Sequence, residues 1–121
     1  MNSTDMYQPI DHQMGIEVHF ENETVWLTQE QMGILFQCDA SVIARHIRNI
    51  FKEGELEDKG TMQKMSVDSS DKPVSFYNLD VIISVGYRVN VKCGTHFRHW
   101  ATQRLKEYLV EDYAINQMTI I

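Results

Sequence analysis

Long apolar runs, paired cysteines and catalytic signatures are missing from this sequence of 121 residues, and each absence removes a class of function. No stretch approaches the ~18 to 20 apolar residues that a membrane span requires, and residues 1–5 lack the basic-then-apolar order of a secretory signal. The expected address is cytoplasmic. The two cysteines, Cys38 and Cys93, lie far apart and form no paired motif, so neither a disulfide framework nor a zinc scaffold is indicated. No nucleophile elbow, P-loop or dinucleotide glycine turn appears, so no enzyme and no cofactor are expected. What remains, at 43% hydrophobic residues, is enough to bury the core of one domain.

Acidic residues are also missing, but only locally. The net charge is -6, yet residues 41–52 hold Arg45, Arg48 and Lys52 without an acid, and residues 86–106 hold Arg88, Lys92, Arg98, Arg104 and Lys106 without one. Only three basic residues are left to face all 17 acids elsewhere. Such segregation can give an acidic protein a positive surface. The plainer reading, solvated helix faces, stays open beside it.

Residues 1–15 show no sustained period and carry Pro9, which suits a flexible arm. Two β-prone runs, residues 16–20 (IEVHF) and 24–27 (TVWL), flank Glu21-Asn22-Glu23 as a small hairpin. Thr28 with Gln31 forms a capping box, and Met32, Leu35 and Phe36 then mark one face of a helix ending near Gln37. Asp39 can cap a second helix running to Glu53, before Gly54. Residues 62–67 and 74–77 make a second hairpin around the turn chemistry of residues 68–72. Asn78 caps an apolar segment that Gly86 is expected to close, and Cys93-Gly94-Thr95 is expected to turn into a last long helix over residues 96–110. The layout predicts an α+β, winged-helix-like domain over residues 16–112, with a helix-turn-helix, two short β-hairpins and a long C-terminal helix. Residues 113–121 read as an extension ending on an apolar run, the expected start of a missing region.

The strongest chemical signal is helix 39–53. At ~100° per residue, Ser41, Arg45, Arg48, Asn49 and Lys52 share one arc, while Val42, Ile43, Ile47, Ile50 and Phe51 fill the opposite side. A helix divided in this way docks by its apolar face and offers phosphate and base-edge donors on the other, as a major-groove recognition helix must. Gly33 sits where two such helices approach, whereas Gln37 replaces the glycine often found in the turn. Arg45, Arg48 and Asn49 are assigned nearest the base edges, Ser41 and Lys52 nearer the phosphates. Arg88, Lys92 and Lys106 are assigned as supporting phosphate contacts. Arg104 falls within the aromatic stripe of the last helix and is expected to be a structural ion-pair or cation-π residue.

Two weaker patterns carry structural alternatives. Cys93-x2-His96-x2-His99 has metal-ligand spacing, but no fourth ligand is placed near it, so it serves better as a helix start with exposed imidazoles and no metal is assigned. Glu57-Asp58-Lys59 matches a piece of some metal-dependent nucleases, and a solvated charged turn produces the same pattern.

The phrases VWLTQEQMGILFQCDASVIARHIRNIFKEGEL and FYNLDVIISVGYRVNVKCGTHFRHWATQRLKEYL resemble the N-terminal region of the RhuM family of virulence-associated bacterial proteins. The resemblance spans roughly residues 16 to 112, and the second phrase also resembles the Bro-N and KilA-N type domains of phage and viral proteins. It implies a DNA-binding protein of a mobile-element or virulence locus, acting in transcription regulation or as an accessory factor, with no catalytic residues. Family members are typically longer than this chain. The expected partner is double-stranded DNA, with a homodimer supplying two recognition helices. A protein-interaction module docking a partner subunit through Trp100, Tyr108 or the C-terminal apolar run is the alternative, and a metal-dependent nuclease is the third.

Overall fold

Alternation of apolar and polar residues makes Ile16, Val18 and Phe20 one face of a strand, and the turn that follows returns the chain directly. Asn22 and Glu23 both adopt left-handed backbone, φ 54° and 63°, as a two-residue hairpin requires. The computed structural model describes residues 2–10, 14–65 and 72–119, with residue 2 and residues 111–119 as backbone only. Its elements are β1 (Asn2–Tyr7), β2 (Ile16–Glu21), β3 (Thr24–Leu27), α1 (Gln29–Phe36), α2 (Ala40–Lys52), β4 (Met62–Met65), β5 (Val74–Asn78), α3 (Leu79–Val89) and α4 (Val91–Thr119). The expected α+β class holds. Most of the loop expected at residues 68–72 lies outside the described residues.

The two expected hairpins are in fact parts of one antiparallel sheet, ordered β1-β2-β3-β5-β4. Fusion occurs where β3 meets β5 at only two pairs, Trp26 with Asn78 and Leu27 with Tyr77. The first residues also depart from expectation: Asn2–Tyr7, assigned to a flexible arm, are a strand paired along its length with β2. A lone edge strand needs no strong period of its own, because its neighbour supplies the hydrogen-bond ladder. Tyr7 is buried against Phe97 and Trp100, with ring centroids 5.1 and 4.9 Å away, and Arg104 forms an ion pair with Asp5.

The core lies on one face of the sheet, where Val18, Phe20, Val25 and Leu27 meet Met32, Leu35, Ile43, Ile50, Ile82, Val85 and Phe97, all fully buried. On the opposite face Trp26 and Phe76 are nearly buried outside that core, and the Trp26 indole donates to the Glu21 carbonyl at 2.9 Å.

Helix ends follow the sequence at Thr28, whose side chain accepts from the Gln31 amide while Gln31 Oε1 accepts from the Thr28 amide. Asn78 likewise caps α3 by accepting from the Val81 amide at 3.2 Å. Asp39 occupies the cap position of α2 but makes no side-chain cap bond. Two glycines expected to act as breakers do not. Gly86 lies inside α3 and Gly94 inside α4, which begins at Val91 with the Asn90 side chain accepting from the Cys93 amide at 3.1 Å. A Cβ on Gly86 would stand 3.0 Å from the Gly94 Cα and 3.0 Å from the Phe36 ring. Here glycine permits close helix packing instead of ending a helix. Beyond the expected stop at residue 110, α4 continues through residues 113–119.

Candidate nucleic-acid interface

The joint between α1 and α2 depends on three local features. Gln37 ends α1 in left-handed backbone, φ 57° and ψ 49°, a conformation that glycine takes more easily. The Cys38 amide then donates to the Gly33 carbonyl at 3.0 Å, closing the turn against the preceding helix. Gly33 has no room for a side chain, since a Cβ there would lie 2.8 Å from the Cys38 carbonyl oxygen. Burial, and then the Asp39 carboxylate, raise the pKa of the Cys38 thiol, so this turn cysteine is held as a thiol.

From that joint α2 emerges with its faces sorted as the sequence predicts. Ile43, Ile47 and Ile50 are buried, and Val42 and Phe51 half-buried; Ser41, Arg45, Arg48 and Lys52 are exposed, with Asn49 half-exposed at their flank. None of these polar side chains takes part in an ion pair or side-chain hydrogen bond found among the described residues. Beside them His46 is half-buried and its Nδ1 has no partner. Burial, then the charges of Arg45 and Arg88, push its pKa below 6.5, which keeps the ring neutral near pH 7.

The structure places Arg88 differently from a free phosphate donor. It projects from α3 to the end of α2, where its Nη2 donates to Glu53 Oε2 at 2.7 Å and to Glu55 Oε1 at 3.1 Å. A hydrogen bond from Ser84, and then that from Arg88, hold the Glu55 carboxyl below its usual range. These partners lie 35 and 33 residues away in the chain, and no local spacing signals them. Lys92 and Lys106 are exposed on α4, about 21 Å apart along its axis at 1.5 Å per residue. They lie on a different element from the basic face of α2, and α3 packs against both α2 and α4.

Arg104 takes the structural role expected of it, paired with Asp5 and Glu107 and placed 5.7 Å from the Tyr108 ring centroid. The aromatic face offered to a partner in the alternative reading is largely occupied from within. Phe20 stands edge-on to Trp100 and tilted against Tyr108, with ring centroids 5.9 and 5.0 Å away. Cys93 is buried while His96 and His99 are exposed, and Glu57, Asp58 and Lys59 lie in an exposed turn. Among the described residues no three His, Cys, Asp or Glu side chains are grouped to hold a metal ion, and no helix is long and apolar enough to cross a membrane.

The family model described as Virulence protein RhuM family matches residues 56–120, which covers β4, β5, α3 and α4 and more than half of the chain. Among curated proteins and among solved structures nothing matches it.

Proposed function

The chain belongs to the Virulence protein RhuM family, and for it we propose a non-enzymatic DNA-binding function in which α2 reads the major groove as the second helix of a winged helix-turn-helix. One observation carries the reading: Arg45, Arg48 and Lys52 stand exposed and outside every ion pair of the described residues, directly opposite three buried isoleucines. Unpaired cations of one sign on a rigidly docked helix face suit a polyanion. The antiparallel β4–β5 hairpin that follows α1 and α2 in the chain supports the winged arrangement. Asn49 and the two arginines have the donor and acceptor sets that suit adenine and guanine edges. Lys92 and Lys106 add phosphate contacts from α4.

A second copy supplies the second recognition helix that specific operators need. Leu109 and Val110, 48% and 68% exposed on α4, favour such self-association. At a virulence or mobile-element locus in a bacterial cytoplasm the consequence is transcription regulation or an accessory role at that site.

The test is fluorescence anisotropy of a mixed-sequence duplex titrated with the chain across a salt series. Neutralising three to five phosphates predicts a log-log salt slope of roughly -3 to -4.5. On a duplex without its specific site Arg45 and Arg48 meet phosphates rather than base edges, so Arg45→Ala with Arg48→Ala should flatten that slope by about 2 and leave little binding at moderate salt. A folded wild-type chain that ignores duplex at low salt would overturn the proposal and shift the weight to protein partners.

A further inference from the structure

We infer that Arg88 serves the DNA surface without touching DNA: it offsets the charge of Glu53 and Glu55, the two carboxylates at the end of α2 that otherwise repel the phosphates Lys52 and Arg48 attract. The inference rests on the DNA-binding reading above and goes beyond it in giving Arg88 a role through other residues.

Position argues for it first. Along α2 the chain has no acid, but Glu53 follows Lys52 immediately and Glu55 two residues later, and both side chains are well exposed, at 60% and 43%. Two negative charges therefore stand at the rim of a surface with three positive ones. One nitrogen of Arg88 bridges both carboxylates at 2.7 and 3.1 Å. Nη2 spends its donors on two charge-assisted bonds, the stronger kind of hydrogen bond, so a phosphate could reach Arg88 only through Nη1 or Nε. The field of Arg88 also reaches the helix itself, since it acts on His46 together with Arg45. Arg88 thus lowers the negative potential at the end of α2, and like charge at the rim of an interface acts chiefly on encounter and salt dependence.

Three roles for Arg88 predict different outcomes when the acids are also removed. The probe is a labelled mixed-sequence duplex, read by anisotropy at low and at raised salt, with circular dichroism and a thermal melt on every variant. Arg88→Gln is expected to weaken binding about tenfold at low salt, and less at higher salt where the exposed acids are screened. Adding Glu53→Gln and Glu55→Gln to it takes the local charge from -2 to 0, where wild type has -1, and should restore the affinity to at least that of wild type. Glu53→Gln with Glu55→Gln alone should bind within about twofold of that triple variant, because with the acids gone Arg88 has nothing left to offset, and Arg88→Lys, which keeps the charge, should stay within about threefold of wild type. If the triple variant remains as weak as Arg88→Gln, Arg88 is a phosphate ligand or a strut between α3 and α2 and the inference is wrong. It is equally wrong if Arg88→Gln binds like wild type. Failure of the wild type itself to bind refutes the DNA-binding reading, and this inference with it.

Discussion

Replacing Gly33 with alanine tests the joint that aims α2. The added Cβ would meet the Cys38 carbonyl oxygen at 2.8 Å, and the next neighbours, Ala40 N and Cα, at 3.6 and 3.8 Å. Relief needs a shift of about 0.6 Å to reach ordinary contact distance. The obstructing atom is backbone, in a turn tied back to Gly33 itself by the 3.0 Å Cys38 amide bond, so it cannot rotate away as a side chain would. Overpacking of this kind costs about 1–3 kcal/mol. Opposing it, alanine is better than glycine within a helix by about 1 kcal/mol. Because the obstruction is backbone, the steric cost falls in the upper part of that range, about 2–3 kcal/mol, and the net loss is about 1–2 kcal/mol. For a domain of this length that corresponds to a melting temperature lower by roughly 3–10 °C. Urea titration of wild type and variant, read by circular dichroism, gives the free-energy difference directly. Because α2 must rotate to admit the methyl, duplex affinity should fall as well, even with the variant fully folded. A variant as stable as wild type, or more so, would show that helix propensity dominates and that the close approach at Gly33 does not set the geometry of α2.

Acidification should lower stability in two stages. His46 has a folded pKa below its ordinary value, so the unfolded chain binds that proton more readily; its contribution is complete above about pH 6.5 and is lost as pH falls through the folded value. Glu55, also depressed, contributes above about pH 4.5 and loses that contribution below it. Melting temperatures measured from pH 7.5 to 4 should fall accordingly, and His46→Gln should flatten the upper stage; stability that rises between pH 7 and 5.5 would contradict the sign. Asp5→Ala removes the ion pair that ties β1 to Arg104, with both side chains about one-third exposed. The expected cost is only about 1 kcal/mol or less, but amide exchange should accelerate in residues 2–7 and not in α2. Uniform acceleration across the domain would mean that β1 unfolds only with the whole molecule.

Chain-local features of this protein are legible in its sequence. The Thr28 and Gln31 capping box, the Asn78 cap, the hairpin at Asn22-Glu23 and the division of α2 into isoleucines and cations all rest on residues within about two helical turns of one another, where backbone geometry alone decides who meets whom. Arg104 is legible for a similar reason, since a cation within an aromatic stripe must find a partner. Tertiary packing decides the rest. β1 becomes a strand because β2 offers it a ladder, and two hairpins become one sheet through two residue pairs of β3 and β5. Gly86 and Gly94 change meaning from breakers to contact points because the neighbouring helix, not the local sequence, determines what an absent side chain is for. Arg88 is basic in sequence and neutralised in space. Its carboxylate partners sit more than thirty residues away, and only the packing of α3 on α2 brings those charges within hydrogen-bonding distance.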